Sequence, residues 1–290
     1  MKKLAFALSL VMALLCVCTA CGEEKSGGLS ITANNTGTSD TQIVSGLLDD
    51  ESYTLSNNIT KIVSLSPAAS MIIDALGASS KLVGVDAVSA NYVSAAKTDA
   101  SGAAALAPEV IFVDAADRDA LGSTDIPVFT IPTAESSDAI HKLIRICAKV
   151  TGTSADDLSK KLTNAMNAAQ LGSSAYSTKF TAYVDLGEGT VGSGTYITEM
   201  LFAAGLENVC TAEGFTSMTD DEIIAADPEF IFTVGDVKDY LENSAFAGVR
   251  AVKNGYVYSL DEKDICYASN NISNAVASMY GAVSDTRGDE

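Results

Sequence analysis

Short apolar runs that alternate with helical segments constrain the fold of this chain more than any other feature. The runs are apolar along nearly their whole length and are rich in β-branched and aromatic residues. Such runs are typical of strands in a parallel sheet whose two faces are both covered by helices. They occupy residues 61–65, 82–85, 110–113, 126–131, 180–186, 230–234 and 255–258. The alternation predicts an α/β fold with mainly parallel sheets.

A long helical stretch separates the first group of runs from the second. Apolar residues follow helical spacing over 140–150 and again over 158–169, around an interruption at residues 151–153. A chain of 290 residues is long enough for two lobes. We therefore expect two Rossmann-like lobes joined by a long bridging α-helix. The expected bounds are 51–137 for the N-terminal lobe, 138–171 for the bridging helix and 172–290 for the C-terminal lobe.

The first residues indicate a lipid-anchored protein. Lys2 and Lys3 precede an apolar run over 4–17 that is too short to span a membrane comfortably, and Cys21 follows it. This order resembles a bacterial lipobox, in which the cysteine carries lipid; an ordinary secretory signal or a short buried helix are the alternatives. We expect a lipoprotein signal peptide over 1–20, lipidation of Cys21 and an extracytoplasmic protein anchored to the bacterial cell membrane. Residues 21–50, rich in Gly, Ser, Thr and Asn, are expected to form a flexible tether.

Charge and composition exclude several classes of function. A net charge of −19 would repel nucleic acid. The single histidine, His141, argues against a histidine-rich metal site and against a catalytic triad, so no catalytic residue, metal or cofactor is expected. Asp185 and Glu188 leave a carboxylate-based hydrolase open as a minor alternative. A disulfide between Cys210 and Cys266 also stays open, whereas Cys147 is expected to be a buried apolar residue.

Several segments resemble, in their order, the vitamin B12/ferric-siderophore/haem class of ABC-transporter substrate-binding proteins. The resemblance covers about residues 60–283 and includes the Ser66-Pro67 turn after the first apolar run. The matching segments are 62–70, 75–77, 82–86, 106–111, 125–128, 192–196, 204–209, 218–224, 227–231 and 251–257. The resemblance implies a non-enzymatic, monomeric importer component whose two lobes hold a corrinoid, ferric-siderophore or haem-type ligand in the cleft between them.

The candidate ligand contacts lie in loops at the carboxyl ends of strands, where α/β sheets bind ligands. They are Ser66, Pro67, Tyr92, Asp114, Arg118, Gly187, Glu188, Phe215 and Tyr267. Each has a structural alternative: Ser66 fits a helix N-cap, Phe215 fits core packing, and Asp114 with Arg118 fits a helical ion pair. Arginine occurs only at positions 118, 145, 250 and 287, which favours a neutral or cationic ligand such as a corrinoid over an anionic siderophore.

The resemblance also implies docking to a permease dimer through one acidic residue on each lobe. Asp221, with Glu222 beside it, matches the position on the second lobe. On the first lobe Ser101 stands at the matching position and Asp99 lies two residues away. The family also carries an acidic residue where this chain has Met71. These departures leave open a surface lipoprotein of the same fold that acts as an interaction module without transport.

Overall fold

The computed structural model describes residues 40–288, so the expected signal peptide, Cys21 and the part of the expected tether before residue 40 lie outside it. The strands are β1 (Thr41–Ser45), β2 (Ser52–Ser56), β3 (Ile62–Leu65), β4 (Leu82–Val85), β5 (Val110–Asp114), β6 (Val128–Ile131), β7 (Phe180–Asp185), β8 (Thr190–Val191), β9 (Leu206–Asn208), β10 (Phe215–Thr216), β11 (Phe230–Thr233) and β12 (Val257–Ser259). The helices are α1 (Pro67–Ala75), α2 (Ala100–Ala103), α3 (Ser137–Thr151), α4 (Asp156–Ser173), α5 (Tyr196–Ala203), α6 (Asp220–Ala226), α7 (Lys238–Leu241), α8 (Arg250–Asn254), α9 (Glu262–Ile265) and α10 (Ile272–Gly288). None of these described helices combines the length and the apolar character that crossing a bilayer requires.

The N-terminal lobe is built on a four-stranded sheet in the order β4-β3-β5-β6, with every pair parallel. Alternate residues of these strands enter two different apolar clusters, one on each face. Ile62 and Phe112 face the cluster that includes α1, and Val63 and Ile111 face the cluster that includes Ala103 of α2. Because both faces are buried, the strands are apolar at most positions, as the sequence pattern predicted; Ser64 and Thr130 are buried polar exceptions.

The C-terminal lobe contains a mainly parallel sheet of six strands. Strands β9, β7, β11 and β12 pair in parallel, while β8 and β10 add antiparallel pairing at one side. The apolar core on the α1 side of the first sheet continues through α3 and α4 into this lobe. The predicted fold class of two α/β lobes with mainly parallel sheets is confirmed.

In each lobe, hydrogen bonds between a glutamate carboxylate and the backbone hold the first strand of the sheet. We call this arrangement a carboxylate clasp. Oε1 of Glu109 accepts hydrogen bonds from the backbone N–H groups of Thr60 at 2.8 Å and Lys61 at 3.1 Å. In the other lobe, Oε2 of Glu229 accepts the N–H of Thr181 at 2.8 Å. Both glutamates directly follow a proline at the start of a central strand. The clasps act at the amino ends of the strands and leave the carboxyl ends available for a site.

The bridge between the lobes is a pair of helices rather than one helix over 138–171. Helix α3 ends at Gly152, which adopts a left-handed conformation (φ 70°) and donates its N–H to the carbonyls of Ala148 and Lys149. This is a common way to end a helix, because glycine has no Cβ to oppose a positive φ. Helix α3 packs on α1 and β1 of the first lobe, and α4 packs on α5 and α10 of the second. The expected single helix is therefore corrected to two, each attached to one lobe.

Residues 41–56 form an antiparallel hairpin, so the expected tether over 21–50 is wrong for its last ten residues. Val44 and Leu55 are buried against the main core, and Nζ of Lys149 on α3 donates to the carbonyl of Ile43 at 2.5 Å. The hairpin hides only one apolar side chain in each strand, and exposed Ile43 obscures the alternation. That sparse burial explains why its sequence looks like a linker.

The hairpin covers the edge of the first sheet. The hydroxyl of Tyr53 donates to the carbonyl of Val128 at 2.8 Å. The two carboxylate oxygens of Glu51, a residue only 8% exposed, accept the N–H of Thr130 at 2.9 and 3.1 Å. These contacts occupy backbone groups of β6 that an exposed edge strand would offer to another chain. The hairpin therefore protects the sheet as well as extending the core.

The thiols of Cys147, Cys210 and Cys266 are all free, so the disulfide left open between Cys210 and Cys266 is absent. Cys147 is fully buried on α3, as expected of an apolar residue, and burial raises the pKa of its thiol.

Replacing Glu51 tests the role of the hairpin. Glu51→Ala leaves the buried N–H of Thr130 without an acceptor, so we expect the free energy of unfolding to fall by about 1–3 kcal/mol. Glu51→Gln keeps an acceptor oxygen and should retain most of the stability. Urea unfolding of both variants measures the difference. Equal stability of Glu51→Ala and the wild type would show that the hairpin does not hold the sheet edge.

Candidate functional site

A cavity of about 210 Å³ lies between the lobes at the carboxyl ends of β5 and β6. The first lobe contributes Ala68, Asp114, Ala115, Ala116, Ile131, Pro132, Thr133 and Ala134 to its lining, and the second contributes Tyr196, Phe215, Cys266, Tyr267 and Ala268. Three of the candidate contacts therefore meet here: Asp114, Phe215 and Tyr267. We call this cavity the interlobe cleft.

Asp114 is the only charged residue that lines the interlobe cleft. Burial raises the pKa of its carboxyl from 3.8 to about 6; a hydrogen bond with Ser66 opposes this shift, and the nearby carboxylates of Asp86 and Asp117 add to it. No lysine, arginine or histidine is among the lining residues. The cleft thus holds a carboxylate that lacks a cationic partner within the cavity.

Aromatic rings form the opposite wall of the cleft. Tyr196 is fully buried, and its hydroxyl donates to the carbonyl of Ile265 at 2.6 Å, which fixes the ring. Phe215 is 44% exposed and lies tilted against Tyr196 with ring centroids 6.3 Å apart. An exposed aromatic ring beside a cavity offers a large contact area at low conformational cost. The alternative that Phe215 is an ordinary core residue is therefore wrong.

A carboxylate joins two tyrosines from opposite lobes beside the cleft. Oε1 of Glu262 on α9 accepts the hydroxyl of Tyr267 at 2.6 Å, and Oε2 accepts the hydroxyl of Tyr92 at 3.3 Å. The two rings are tilted with centroids 6.2 Å apart. Burial, followed by the charge of Glu262, raises the pKa of Tyr92. This interlobe bridge links the lobes, and it includes Glu262, which the sequence analysis did not identify.

A second contact between the lobes involves Met71, which stands where the resembled family carries an acidic residue. Met71 is buried on α1, and its sulfur accepts the side-chain N–H of Asn271 at 3.7 Å and the hydroxyl of Ser269 at 3.9 Å. An apolar thioether at this position packs against the other lobe without the desolvation cost of a buried carboxylate.

Ser66 and Pro67 shape the cleft from beneath rather than line it. The buried hydroxyl of Ser66 accepts the N–H of Ala69 at 3.5 Å as the N-cap of α1, and Pro67 is the first residue of that helix. The same serine hydrogen-bonds Asp114. Ser66 is therefore a helix N-cap, as its structural alternative predicted, and it also lowers the pKa of the cleft carboxyl. A direct contact between Ser66 and a ligand stays a prediction.

Arg118 lies outside the lining of the cleft. Residues Ala115–Leu121 form a 3-10 helix, in which side chains four apart do not lie above one another as they do in an α-helix. The guanidinium of Arg118 donates to the carbonyl of Gly122 at 3.4 Å, and its positive charge acts on Glu51 instead of Asp114. The structural alternative of an Asp114–Arg118 ion pair is therefore not formed, and Arg118, predicted as a ligand contact, lies outside the cleft lining.

Gly187 and Glu188 lie in the exposed turn between β7 and β8. Glu188 lines a separate depression of about 340 Å³, which shares Phe215 with the interlobe cleft. Asp185 instead accepts hydrogen bonds from Thr233 at 2.7 Å and Tyr240 at 2.9 Å, which join β7 to β11 and α7. The carboxylate of Asp185 is therefore engaged in hydrogen bonds that stabilise the fold.

The candidate docking residues differ in how their carboxylates are used. Asp99 is the N-cap of α2 and accepts the N–H of Gly102 at 2.9 Å and the hydroxyl of Ser101 at 2.7 Å. Glu222 accepts the N–H of Thr219 at 2.8 Å in a capping box. Asp221 is exposed, and its carboxylate has neither a hydrogen bond nor an ion pair within residues 40–288. Asp221 is the one best placed to meet a partner.

A larger cavity of about 610 Å³ lies among α3, α4 and α5. His141 lines it, with Nε2 3.4 Å from the hydroxyl of Thr163, and burial lowers the pKa of the imidazole. Glu199, also in the lining, accepts the N–H of Ser137 at 2.7 Å. In residues 40–288 no group of three or more His, Cys, Asp or Glu side chains is arranged to hold a metal ion. His141 therefore belongs to the wall that α3 contributes to this cavity.

Known proteins resemble this chain in sequence and in fold. A family model described as "Periplasmic binding protein" matches residues 62–263. The uncharacterized ABC transporter substrate-binding lipoprotein YvrC of Bacillus subtilis is 26% identical over 250 residues, which is 76% of this chain and 80% of that protein.

Solved structures share the fold at lower identity. The molybdate-binding protein MolA of Haemophilus influenzae has a TM-score of 0.70 at 20% identity, covering 86% of this chain and 91% of its own. The haem-binding protein RhuT of Roseiflexus has a TM-score of 0.65 at 21% identity, covering 79% and 99%. The match of the family model extends over more than half of the chain. The chain therefore belongs to the periplasmic binding protein family, which confirms the resemblance of its sequence to the substrate-binding proteins of ABC transporters.

Proposed function

We propose that this protein captures a ligand outside the cytoplasm in the interlobe cleft and delivers it to the permease dimer of an ABC importer. The observation that carries the proposal is the cleft itself: two α/β lobes enclose a cavity at the carboxyl ends of their strands, where α/β sheets bind ligands. The name of the Bacillus relative, an ABC transporter substrate-binding lipoprotein, supports the same role.

The charge of the cleft restricts the ligand. Corrinoids, ferric siderophores and haems are the ligands that the family resemblance suggests, and the solved relatives include haem- and molybdate-binding proteins. With Asp114 as its only charged lining residue, the cleft offers no cation to an oxyanion, a haem propionate or an anionic siderophore. Within the family range, a neutral or cationic chelate such as a corrinoid fits this charge best.

The size of the cleft adds a second restriction. Pockets for drug-sized ligands occupy about 300–1,000 Å³, and this cleft occupies about 210 Å³. A macrocyclic chelate would enter only if the lobes separated, which would break the hydrogen bond between Tyr92 and Glu262. The interlobe bridge would therefore lower the affinity of the protein for a chelate.

A thermal-shift screen with corrinoids, haem and ferric siderophores tests the chelate ligands. A ligand at 100 times its Kd stabilises the folded state by about 2.7 kcal/mol. Tyr92→Phe removes the hydroxyl from the bridge, so it should bind a chelate more tightly than the wild type does. Tyr53→Phe removes a tyrosine hydroxyl from the hairpin and should leave affinity unchanged. If a chelate binds the Tyr92→Phe variant no more tightly than the wild type, the hydrogen bond between Tyr92 and Glu262 does not oppose chelate binding.

Asp221→Lys tests docking to the permease. Exposed charges steer association, so we expect association with the permease to slow by about tenfold or more and ligand-stimulated ATP hydrolysis to fall, with ligand affinity unchanged. Asp220→Lys makes the same charge change one residue away and serves as the control. Normal stimulation by Asp221→Lys would contradict this docking surface and would favour an interaction module without transport. Asp99→Lys and Glu222→Lys would also remove helix caps, so their effects would mix docking with stability.

Cys21→Ala tests the membrane anchor. Stable anchoring needs about two acyl chains, which bacterial lipoproteins carry on the lipobox cysteine. The variant should therefore leave the membrane fraction on cell fractionation, whereas Cys16→Ala, within the apolar run, should stay there. Firm membrane retention of Cys21→Ala would show that the protein is held in another way.

A further inference from the structure

We infer that the interlobe cleft selects a small organic cation, a ligand whose ammonium group sits beside Asp114 and against the aromatic wall. The inference rests on the proposal that this cleft is the ligand site, and it names the chemical class of the ligand.

The charges around the cleft favour a cation over an anion. Asp114 lines the cavity, and the charged groups that act on it are the carboxylates of Asp86 and Asp117. Glu262 adds a fourth carboxylate in the interlobe bridge. An anion would meet repulsion from all of these groups, and a neutral ligand would leave the partly buried charge of Asp114 uncompensated. A cation supplies the charge that the fold itself does not provide.

The preference for a cation comes from the desolvation of the Asp114 carboxylate. Its pKa of about 6 means that the carboxyl is mostly ionised near neutral pH although burial opposes the charge. A bound ammonium group would offset that penalty through a charge-assisted hydrogen bond or direct ion pairing. The net charge of −19 would also steer cations toward the protein.

The remaining lining favours an organic cation over a metal ion. Tyr196, Phe215 and Tyr267 present aromatic rings, which attract ammonium groups within about 6 Å of a ring centroid. Metal ions instead need several oxygen, nitrogen or sulfur ligands. Besides Asp114, the lining offers the thiol of Cys266, and burial raises its pKa to about 12, which keeps it protonated. The volume of about 210 Å³ suits a molecule smaller than a drug-sized ligand.

Calorimetry with a matched pair of probes tests the inference. The cationic probe is choline, and the neutral probe is its isostere with carbon in place of the ammonium nitrogen. We expect the full-length protein in detergent, at neutral pH and low ionic strength, to bind choline at least about tenfold more tightly than the isostere. Asp114→Asn should remove this preference. Asp119→Asn removes an exposed carboxylate from the same 3-10 helix that is not among the groups acting on Asp114, so it should keep the preference.

Three results would overturn the inference: equal affinity for the two probes, no choline binding at millimolar concentration, or an undiminished preference in Asp114→Asn. Because asparagine nearly matches aspartate in shape and relieves a buried charge, Asp114→Asn should fold, and its thermal unfolding midpoint checks this. Binding of a corrinoid without any preference for the cationic probe would overturn the inference while supporting the proposed function. If stimulation of the permease is lost while the cation preference is intact, the inference is supported and the proposed transport function is overturned.

Discussion

The parallel pairing of the strands determines where this protein can form a ligand site. Parallel sheets are buried on both faces, so most side chains of the central strands are apolar, and function is left mainly to the loops at their ends. Glu109 and Glu229 close the amino ends of the two sheets with equivalent hydrogen bonds. The carboxyl ends of β5 and β6 open into the interlobe cleft, and Asp114, the last residue of β5, is thereby held inside it.

Contacts between the two lobes hold the cleft at its present size. A ligand either fits within that size or breaks these contacts. The apolar core is continuous through the helix pair, while Met71 and the bridge of Tyr92, Glu262 and Tyr267 join the lobes beside the cleft. A ligand that fits the existing cavity leaves these contacts intact, whereas a macrocycle has to separate them. The structure thus favours a small cation on two independent grounds, which are the charge of the lining and the size of the cavity.

The sequence predicted the sheets well because strands buried on both faces have an unambiguous apolar pattern. It failed where local spacing does not determine tertiary contact. The hairpin over 41–56 buries too few side chains to show a period, and Gly152 ends a helix whose apolar stripe continues beyond it. The ion pair between Asp114 and Arg118, the structural alternative to a ligand contact, needs an α-helical spacing that the 3-10 helix does not have. Glu262 lies on the four-residue helix α9, and only the folded chain brings it to Tyr92.

The proposed selectivity depends on Asp114, a partly buried carboxylate that has no cationic partner in the interlobe cleft until a ligand supplies one. An NMR titration of its side-chain carboxyl carbon measures this directly, with Asp114→Asn used to assign the signal. The account predicts a pKa of about 6 in the free protein and a lower pKa when a small organic cation is bound. A pKa at or below the ordinary value of about 4 in the free protein would contradict it, since the carboxylate would then already be solvated or paired.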